Sequence, residues 1–135
     1  MRYRRLSYRY TLIAQGQEPS FAEPRPRVQF AQPYWRPAAD ICESDRTVEV
    51  TVDLAGVDQD ELDVLLYENA LIVSGQRRPR TTNPNVVYQL AEIRQGPFRL
   101  ELPLPSSIDP NQVDARYEDG LLQITFRKSS RSMGA

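Results

Sequence analysis

Apolar and polar side chains alternate with a period of two through most of residues 38–128. The clearest run places Val48, Val50 and Val52 between charged or hydroxyl-bearing residues, and successive side chains of a β-strand point to opposite faces. Similar alternations or short apolar runs predict further strands at 38–43, 62–66, 71–73, 86–92, 98–104, 113–117 and 122–126. The pattern therefore predicts an all-β fold, an antiparallel, immunoglobulin-like β-sandwich of about eight strands.

Turn residues separate these predicted strands. Asp119 and Gly120 lie between two alternating runs, and this pair is typical of a tight β-hairpin because glycine adopts a positive φ without steric cost. Residues 67–69 predict another turn. The glycines that close strand runs are interpreted as turn residues: Gly56, Gly75, Gly96 and Gly120.

A long polar connection precedes the predicted strand at 86–92. Residues 76–84 hold two prolines and three arginines, and the segment is long for a hairpin connection. Such a loop allows the strand that follows it to pair with another subunit. A plain surface loop fits the pattern equally well, so both alternatives remain open.

The first 37 residues differ in composition and predict an N-terminal arm rich in proline and arginine. Five prolines between positions 19 and 37 favour extended or irregular backbone. Near the start, Tyr3, Leu6, Tyr10 and Ile13 recur at helical spacing, and so short a helix needs a partner surface. The chain is thus divided into an arm at 1–37, a sandwich at 38–128 and a short tail at 129–135.

Charge separates the arm from the sandwich. Residues 1–38 carry seven arginines and two glutamates, a balance of +5, whereas residues 39–128 carry nine basic and sixteen acidic groups, a balance of −7. The arm's arginines and tyrosines fit a nucleic-acid contact, a transit peptide or a tail that packs on its own assembly. The acidic sandwich argues against a dedicated nucleic-acid binder, because phosphate contacts supply most non-specific affinity.

Composition argues against an enzyme, a cofactor and a metal site. The chain has no histidine and one cysteine, so the commonest general base, the commonest metal ligand and an intrachain disulfide are absent. No glycine-rich phosphate loop occurs. No segment has the ~20 apolar residues of a membrane span, and without a secretory signal the cytoplasm is the expected location.

Five sequence runs follow one another along the sandwich: AADICE at 38–43, VTVDLAGV at 50–57, LIVSG at 71–75, GPFRLELPLP at 96–105 and ARYEDGLLQI at 115–124. In order and spacing they resemble the α-crystallin domain of small heat-shock proteins. The resemblance covers about ninety residues. Each run alone has little specificity, whereas the ordered set is strongly specific.

The resemblance implies an ATP-independent holdase chaperone, which binds partly unfolded client proteins through exposed apolar surface and prevents their aggregation. Apolar contact is non-directional and tolerates many clients. The resemblance also implies a homodimer and allows a larger homo-oligomer. The client and assembly residues of the arm would be Tyr3, Leu6, Tyr10, Ile13, Phe21, Val28, Phe30 and Trp35.

The resemblance further implies where the sandwich contacts other chains. In bacterial and plant members, the strand after the long loop pairs with the partner's first strand. Here that strand exchange would use Ile41, Val86, Val87, Tyr88, Leu90 and Glu92. A groove between the family's fourth and eighth strands maps to Val64, Leu66, Val113, Ala115 and Tyr117.

The tail departs from the family pattern. Residues 129–135 read SSRSMGA and lack the Ile-x-Ile or Ile-x-Val motif that docks in a neighbouring dimer's groove. A dimer or a small, arm-built assembly is therefore expected, with Val28 and Phe30 offering the same apolar spacing from the arm. The alternative function is a protein-binding module on a related sandwich, such as a CS-domain co-chaperone, which lacks holdase activity and is usually monomeric.

Single residues outside these motifs are given structural interpretations. Cys42, in a predicted edge strand with no second cysteine nearby, is interpreted as an inert, half-buried thiol. Trp35 is interpreted as fastening the arm to the sandwich, with client contact as the alternative. The acidic segment at 58–63 lacks the spacing of a calcium loop and indicates a solvated turn.

Overall fold

The computed structural model describes residues 34–130, which form seven β-strands and one short 3-10 turn at Gln59–Glu61. The strands are β1 (Ala39–Glu43), β2 (Thr47–Asp53), β3 (Asp63–Tyr67), β4 (Ala70–Arg77), β5 (Gly96–Pro103), β6 (Ile108–Glu118) and β7 (Leu121–Lys128). One sheet has the order β1-β2-β7-β6 and the other has the order β3-β4-β5. All pairings between these strands are antiparallel. The predicted all-β, antiparallel sandwich is confirmed.

The core lies between the two sheets because each strand turns one face inward. Val48, Val50 and Val52 on β2 have no exposed surface. Val50 lies opposite Ile124 on β7, which is 1% exposed. Every buried side chain within residues 34–130 is apolar. Since fully burying one such side chain contributes roughly 1.5–3 kcal/mol, the alternating pattern is a main source of the fold's stability.

The turn between β6 and β7 has the predicted hairpin conformation. Asp119 and Gly120 have φ values of 57° and 80°, and a type I′ turn requires a positive φ at both central residues. The turn expected at 67–69 is also present, because Glu68 connects β3 to β4 with a φ of 57°. Both predicted turns are confirmed.

Gly75 is not a turn residue, so that prediction was wrong. It lies inside β4, opposite Phe98 on β5. A Cβ built at Gly75 would be 2.5 Å from the carbonyl oxygen of Glu61 and 2.7 Å from Cζ of Phe98. Glycine is required because a backbone and an aromatic ring approach β4 closely. The positive φ of turn glycines is present at Gly56, Gly96 and Gly120.

The strand expected at 86–92 is absent from the single chain. Residues 78–95 form an irregular connection between β4 and β5, so the described chain has seven strands in place of about eight. A strand requires a neighbour that takes up its backbone hydrogen bonds. The alternation of side chains revealed that this segment is apolar. It could not reveal whether a neighbouring strand is available to take up the segment's backbone hydrogen bonds.

The predicted turn is present over residues 58–62, and Asp63 begins β3. The Asp58 carboxylate accepts a hydrogen bond from the backbone N–H of Asp60 at 2.9 Å and so caps the short 3-10 turn. Among residues 34–130 there is no group of three or more potential metal ligands. Asp58 thus caps the turn, and Glu61 forms an ion pair with Arg78.

Candidate assembly interface

β1 is an edge strand with one side of its backbone turned outward. Within residues 34–130 it pairs with β2 alone. The N–H of Asp53 donates to the carbonyl of Ala38, and the N–H of Ser44 donates to the carbonyl of Thr47, both at 2.9 Å. Because hydrogen-bonded pairs alternate in an antiparallel ladder, the even-numbered residues bond to β2. The outward N–H and C=O groups belong to Ala39, Ile41 and Glu43.

The side chains of β1 also face an open edge. Ile41 lies opposite Val50 and so points to the core side of the sheet, yet it is 38% exposed. Such an edge is open to pairing with a strand from another chain, which would cover the Ile41 side chain. Cys42 points to the opposite side and is exposed. The expectation of a half-buried thiol was therefore wrong, because no second layer from the described residues covers that face.

Glu43 fixes one end of β1. Its carboxylate accepts hydrogen bonds from the Lys128 ammonium, at 2.7 Å, and from the Ser106 hydroxyl. Both hydrogen bonds lower the pKa of Glu43, and the bond from Lys128 has the larger effect. The edge strand is thereby tied to β7 and to the connection between β5 and β6.

The connection between β4 and β5 carries an exposed apolar segment at 86–93. Val87 is 77% exposed, and Leu90 and Ile93 are each 72% exposed. Val86 and Tyr88 are 43% and 54% exposed, and Glu92 is exposed as well. Single exposed apolar residues are ordinary, whereas a contiguous set marks a candidate interaction surface. Ile93 continues the same apolar run but was not among the predicted contact residues.

Two arginines contact the sandwich at the root of this connection. The Arg77 guanidinium donates to the carbonyl of Ala55 at 3.0 Å and to the carbonyl of Arg94 at 2.9 Å. Arg78 forms an ion pair with Glu61 at 2.7 Å. Both arginines were predicted only as part of a polar loop, because their partners become neighbours only in the folded chain.

Trp35 fastens the arm to the sandwich, as predicted. Its N–H donates to the carbonyl of Pro97 at 3.2 Å, and its carbonyl accepts from the N–H of Arg99 at 3.1 Å. Its indole N–H donates to the carbonyl of Gly96 at 3.1 Å, and its ring centroid lies 5.3 Å from that of Phe98. The remaining predicted arm residues lie outside the described residues: Tyr3, Leu6, Tyr10, Ile13, Phe21, Val28 and Phe30.

The residues predicted to line a groove lie on β3 and β6, which are edge strands of opposite sheets. Val64 and Leu66 on β3 are 3% and 1% exposed, and Val113 and Ala115 on β6 are 7% and 4% exposed. All four belong to the core cluster, and Tyr117 packs against it. An occupant would reach them only from the edge between the sheets, so the groove stays a prediction.

Tyr117 connects β6 to the turn that follows β2. Its hydroxyl donates to the carbonyl of Leu54 and accepts from the N–H of Val57 at 3.3 Å. Burial raises the pKa of Tyr117, because the charged phenolate loses hydration there. The neutral hydroxyl therefore serves as a structural bridge.

We expect Tyr117→Phe to lower the free energy of unfolding by about 1–2 kcal/mol at neutral pH, because two hydrogen bonds are lost. A raised folded-state pKa means that the hydroxyl's contribution is fully present below the unfolded pKa of ~10 and is lost as pH rises through the folded pKa. Urea unfolding at pH 7 and pH 11 checks this. A difference between wild type and variant that is equal at both pH values would contradict it.

The outer face of the four-stranded sheet is polar. It holds a depression of about 360 Å³, lined among others by Glu49, Asp114 and Arg116. Arg116 donates to the side chain of Gln123 at 3.1 Å. No helix in the described part of the chain is long and apolar enough to cross a membrane.

Residues 40–134 match the Hsp20/alpha crystallin family. Small heat shock protein C2 of Rickettsia felis is 30% identical over 95 residues, which cover 70% of this chain and 62% of that protein. A 17.6 kDa class II heat shock protein of Arabidopsis thaliana is 35% identical over 92 residues, which cover 67% of this chain and 59% of that protein. The chain thus spans roughly three fifths of the length of these curated relatives.

Solved structures show the same fold. Heat shock protein 16.0 from Schizosaccharomyces pombe matches with a TM-score of 0.64 and 28% identity, over 69% of this chain and 86% of that chain. HspA from Xanthomonas axonopodis matches with a TM-score of 0.64 and 27% identity, over 71% of this chain and 96% of that chain. A small heat-shock protein from Xylella fastidiosa matches with a TM-score of 0.63 and 27% identity, over 71% of this chain and 88% of that chain. That protein has a distinct high order structure.

Proposed function

Because this chain belongs to the Hsp20/alpha crystallin family, we propose that it acts as an ATP-independent holdase chaperone. In this role it binds partly unfolded client proteins through exposed apolar surface and prevents their aggregation. The observation that carries the proposal is the match of residues 40–134 to this family, on a sandwich with the fold of solved small heat-shock proteins. Apolar area binds without directional requirements and so accepts many sequences. The proposed role involves no catalysis, cofactor or metal.

The proposed unit of assembly is a homodimer formed by strand exchange. Segment 86–92 of one chain would lie along the outward backbone groups of Ala39, Ile41 and Glu43 in the partner. At ~3.3 Å per residue, the segment is long enough to cover all of β1. Pairing would supply the neighbour that the segment lacks in the single chain and would bury Leu90 and its exposed apolar neighbours. A larger homo-oligomer of such dimers extends the proposal.

We place client binding mainly in the arm, whose predicted apolar residues precede Trp35. The groove between β3 and β6 is the proposed docking site for an apolar-x-apolar segment such as Val28-Gln29-Phe30. The proposed setting is the cytoplasm. The acidic sandwich argues against a dedicated nucleic-acid partner, because phosphate contacts supply most non-specific affinity.

Light scattering of a heated reporter enzyme, without ATP, tests the holdase proposal. We expect the full chain in molar excess to suppress the rise in scattering, because exposed apolar surface on the client is covered before clients meet. Absence of suppression contradicts the proposal. If sedimentation also shows a monomer across micromolar concentrations, a CS-domain type of binding module is favoured.

Two truncations separate client binding from the anchoring role of Trp35. Deleting residues 1–33 removes the other predicted client residues but keeps Trp35, whereas deleting residues 1–36 removes both. We expect each truncation to raise the amount of chaperone needed for half-suppression at least several-fold. The longer deletion alone should also lower the free energy of unfolding by about 2–4 kcal/mol, because the ring packing and hydrogen bonds of Trp35 are lost.

Scattering assays and urea unfolding of the two truncated chains measure both effects. If the chain lacking residues 1–33 holds clients as well as the full chain, the arm is not the client surface. If the two truncated chains are equally stable, Trp35 does not anchor the arm.

A further inference from the structure

Arg77 lies where three parts of the molecule meet. Its Nε donates to the carbonyl of Ala55, in the turn after β2, at 3.0 Å, and its Nη1 donates to the carbonyl of Arg94 at 2.9 Å. Its Cζ lies 4.5 Å from the centroid of the Trp35 ring. Since Arg77 ends β4 and Arg94 precedes β5, one side chain joins both ends of the 78–95 connection and also contacts the arm.

The contacts of Trp35 bring the arm to the same place. Its backbone pairs with Pro97 and Arg99, and its indole N–H donates to Gly96. These residues form the start of β5, where the connection returns to the sheet. The root of the arm and the root of the connection are therefore held by one cluster around Arg77.

The chemistry of this cluster suits arginine. A guanidinium is a planar fork, so it donates to two carbonyls in its plane while its face lies against an aromatic ring. A lysine ammonium can lie over the ring, but it is a compact charge on a flexible stem and does not reproduce the fork. Arg78, the next residue, has a different arrangement, since its side chain is 67% exposed and pairs with Glu61.

We infer that Arg77 is a positioning residue that couples the docking of the arm root to the pose of the exchange segment. With Arg77 in place, the connection leaves and rejoins the sandwich at fixed points, and segment 86–92 is presented to a partner's β1. Undocking Trp35 removes one of the three contacts of the guanidinium and weakens this presentation. The coupling is reciprocal, so dimer formation strengthens the docking of Trp35. This inference rests on the proposed strand-exchange dimer.

The test compares full-length wild type, Arg77→Ala, Arg77→Lys and, as the matched control, Arg78→Ala. Sedimentation gives the dimer dissociation constant, and the emission and acrylamide quenching of Trp35, the one tryptophan of the chain, report on its ring. Arg77→Ala should raise the dissociation constant about tenfold, which corresponds to about 1.4 kcal/mol, and should shift the emission to the red. Arg78→Ala should stay within about twofold of wild type in both.

Arg77→Lys separates the two contributions of the guanidinium. Its emission should stay near that of wild type, because the cation still covers the ring, while its dimer should be weaker because the fork between Ala55 and Arg94 is lost. Trp35→Ala should weaken the dimer in the wild-type background and change it little in the Arg77→Ala background. Such non-additivity is the signature of coupled residues.

Each alternative result has a distinct meaning. If Arg78→Ala weakens the dimer as much as Arg77→Ala, the dimer depends on positive charge at the loop root and not on the specific contacts of Arg77, and the inference is overturned. If Arg77→Ala shifts the emission but leaves the dissociation constant unchanged, Arg77 only covers Trp35, so the coupling is overturned while the proposed dimer stands. If the wild-type chain stays monomeric throughout, the proposed dimer fails and the coupling fails with it.

Discussion

Gly75→Ala is expected to lower the free energy of unfolding by about 3 kcal/mol, the upper range for forcing a methyl group into a packed core. The new Cβ would be 2.5 Å from the Glu61 carbonyl oxygen and 2.7 Å from Cζ of Phe98. Neither neighbour can retreat easily, because one is backbone and the other is a fully buried ring. Urea unfolding of the full chain measures the loss.

Gly96→Ala is the matched control for this substitution. A Cβ at Gly96 would meet nothing within 4 Å, but its φ is +95°. Its cost is therefore backbone strain alone, on the order of 1–2 kcal/mol. If the two glycine variants lose equal stability, or if Gly96→Ala loses more, close packing at Gly75 is not the reason for glycine in β4.

Ile41→Pro is expected to raise the dissociation constant of the proposed dimer about 30-fold or more. The N–H of Ile41 points away from β2, so proline removes a donor that only an added strand would use. The partner's carbonyl would be buried without its hydrogen bond, at a cost of about 2 kcal/mol. Sedimentation equilibrium measures the change, and the stability of the monomer should be nearly unaltered.

Two variants test the backbone origin of this effect. Ile41→Ala removes the same side chain but keeps the N–H, so it should weaken the dimer only a few-fold. Cys42→Pro removes an N–H on the side that bonds to β2, and it should destabilise the monomer itself. Equal effects of Ile41→Pro and Ile41→Ala on dimerisation would show that the edge contributes only its side chain.

The parts of the fold that depend on local spacing were predictable. The alternation through Val48, Val50 and Val52 identified β2 and its buried face, because the two-residue period of a strand is visible in the sequence. The pair Asp119-Gly120 identified the β6–β7 hairpin, since few residue pairs accept two positive φ values. Gly75 was misjudged because a glycine at a turn and a glycine under a ring look alike in a sequence.

The candidate interface was predictable only in part. The apolar run at 86–90 and Ile41 were recognised through the family resemblance, and the structure shows them exposed. Arg77 was missed because its partners Ala55, Arg94 and Trp35 are distant in the chain and become neighbours only through folding. The pattern also indicated a strand at 86–92, whereas a strand exists only where another backbone completes its hydrogen bonds.

Local sequence patterns specify the layered β architecture, the inward faces of the strands and the tight turns, because these follow from periodicity and from the φ preferences of a few residues. Only the folded chain shows that β1 is an open edge and which of its backbone groups point outward. It also shows that a backbone and a ring leave no room for a side chain at Gly75, and that Arg77 contacts Ala55, Arg94 and Trp35. Those features depend on strand order and register. Both are set by contacts between residues far apart in the chain, which no local pattern records.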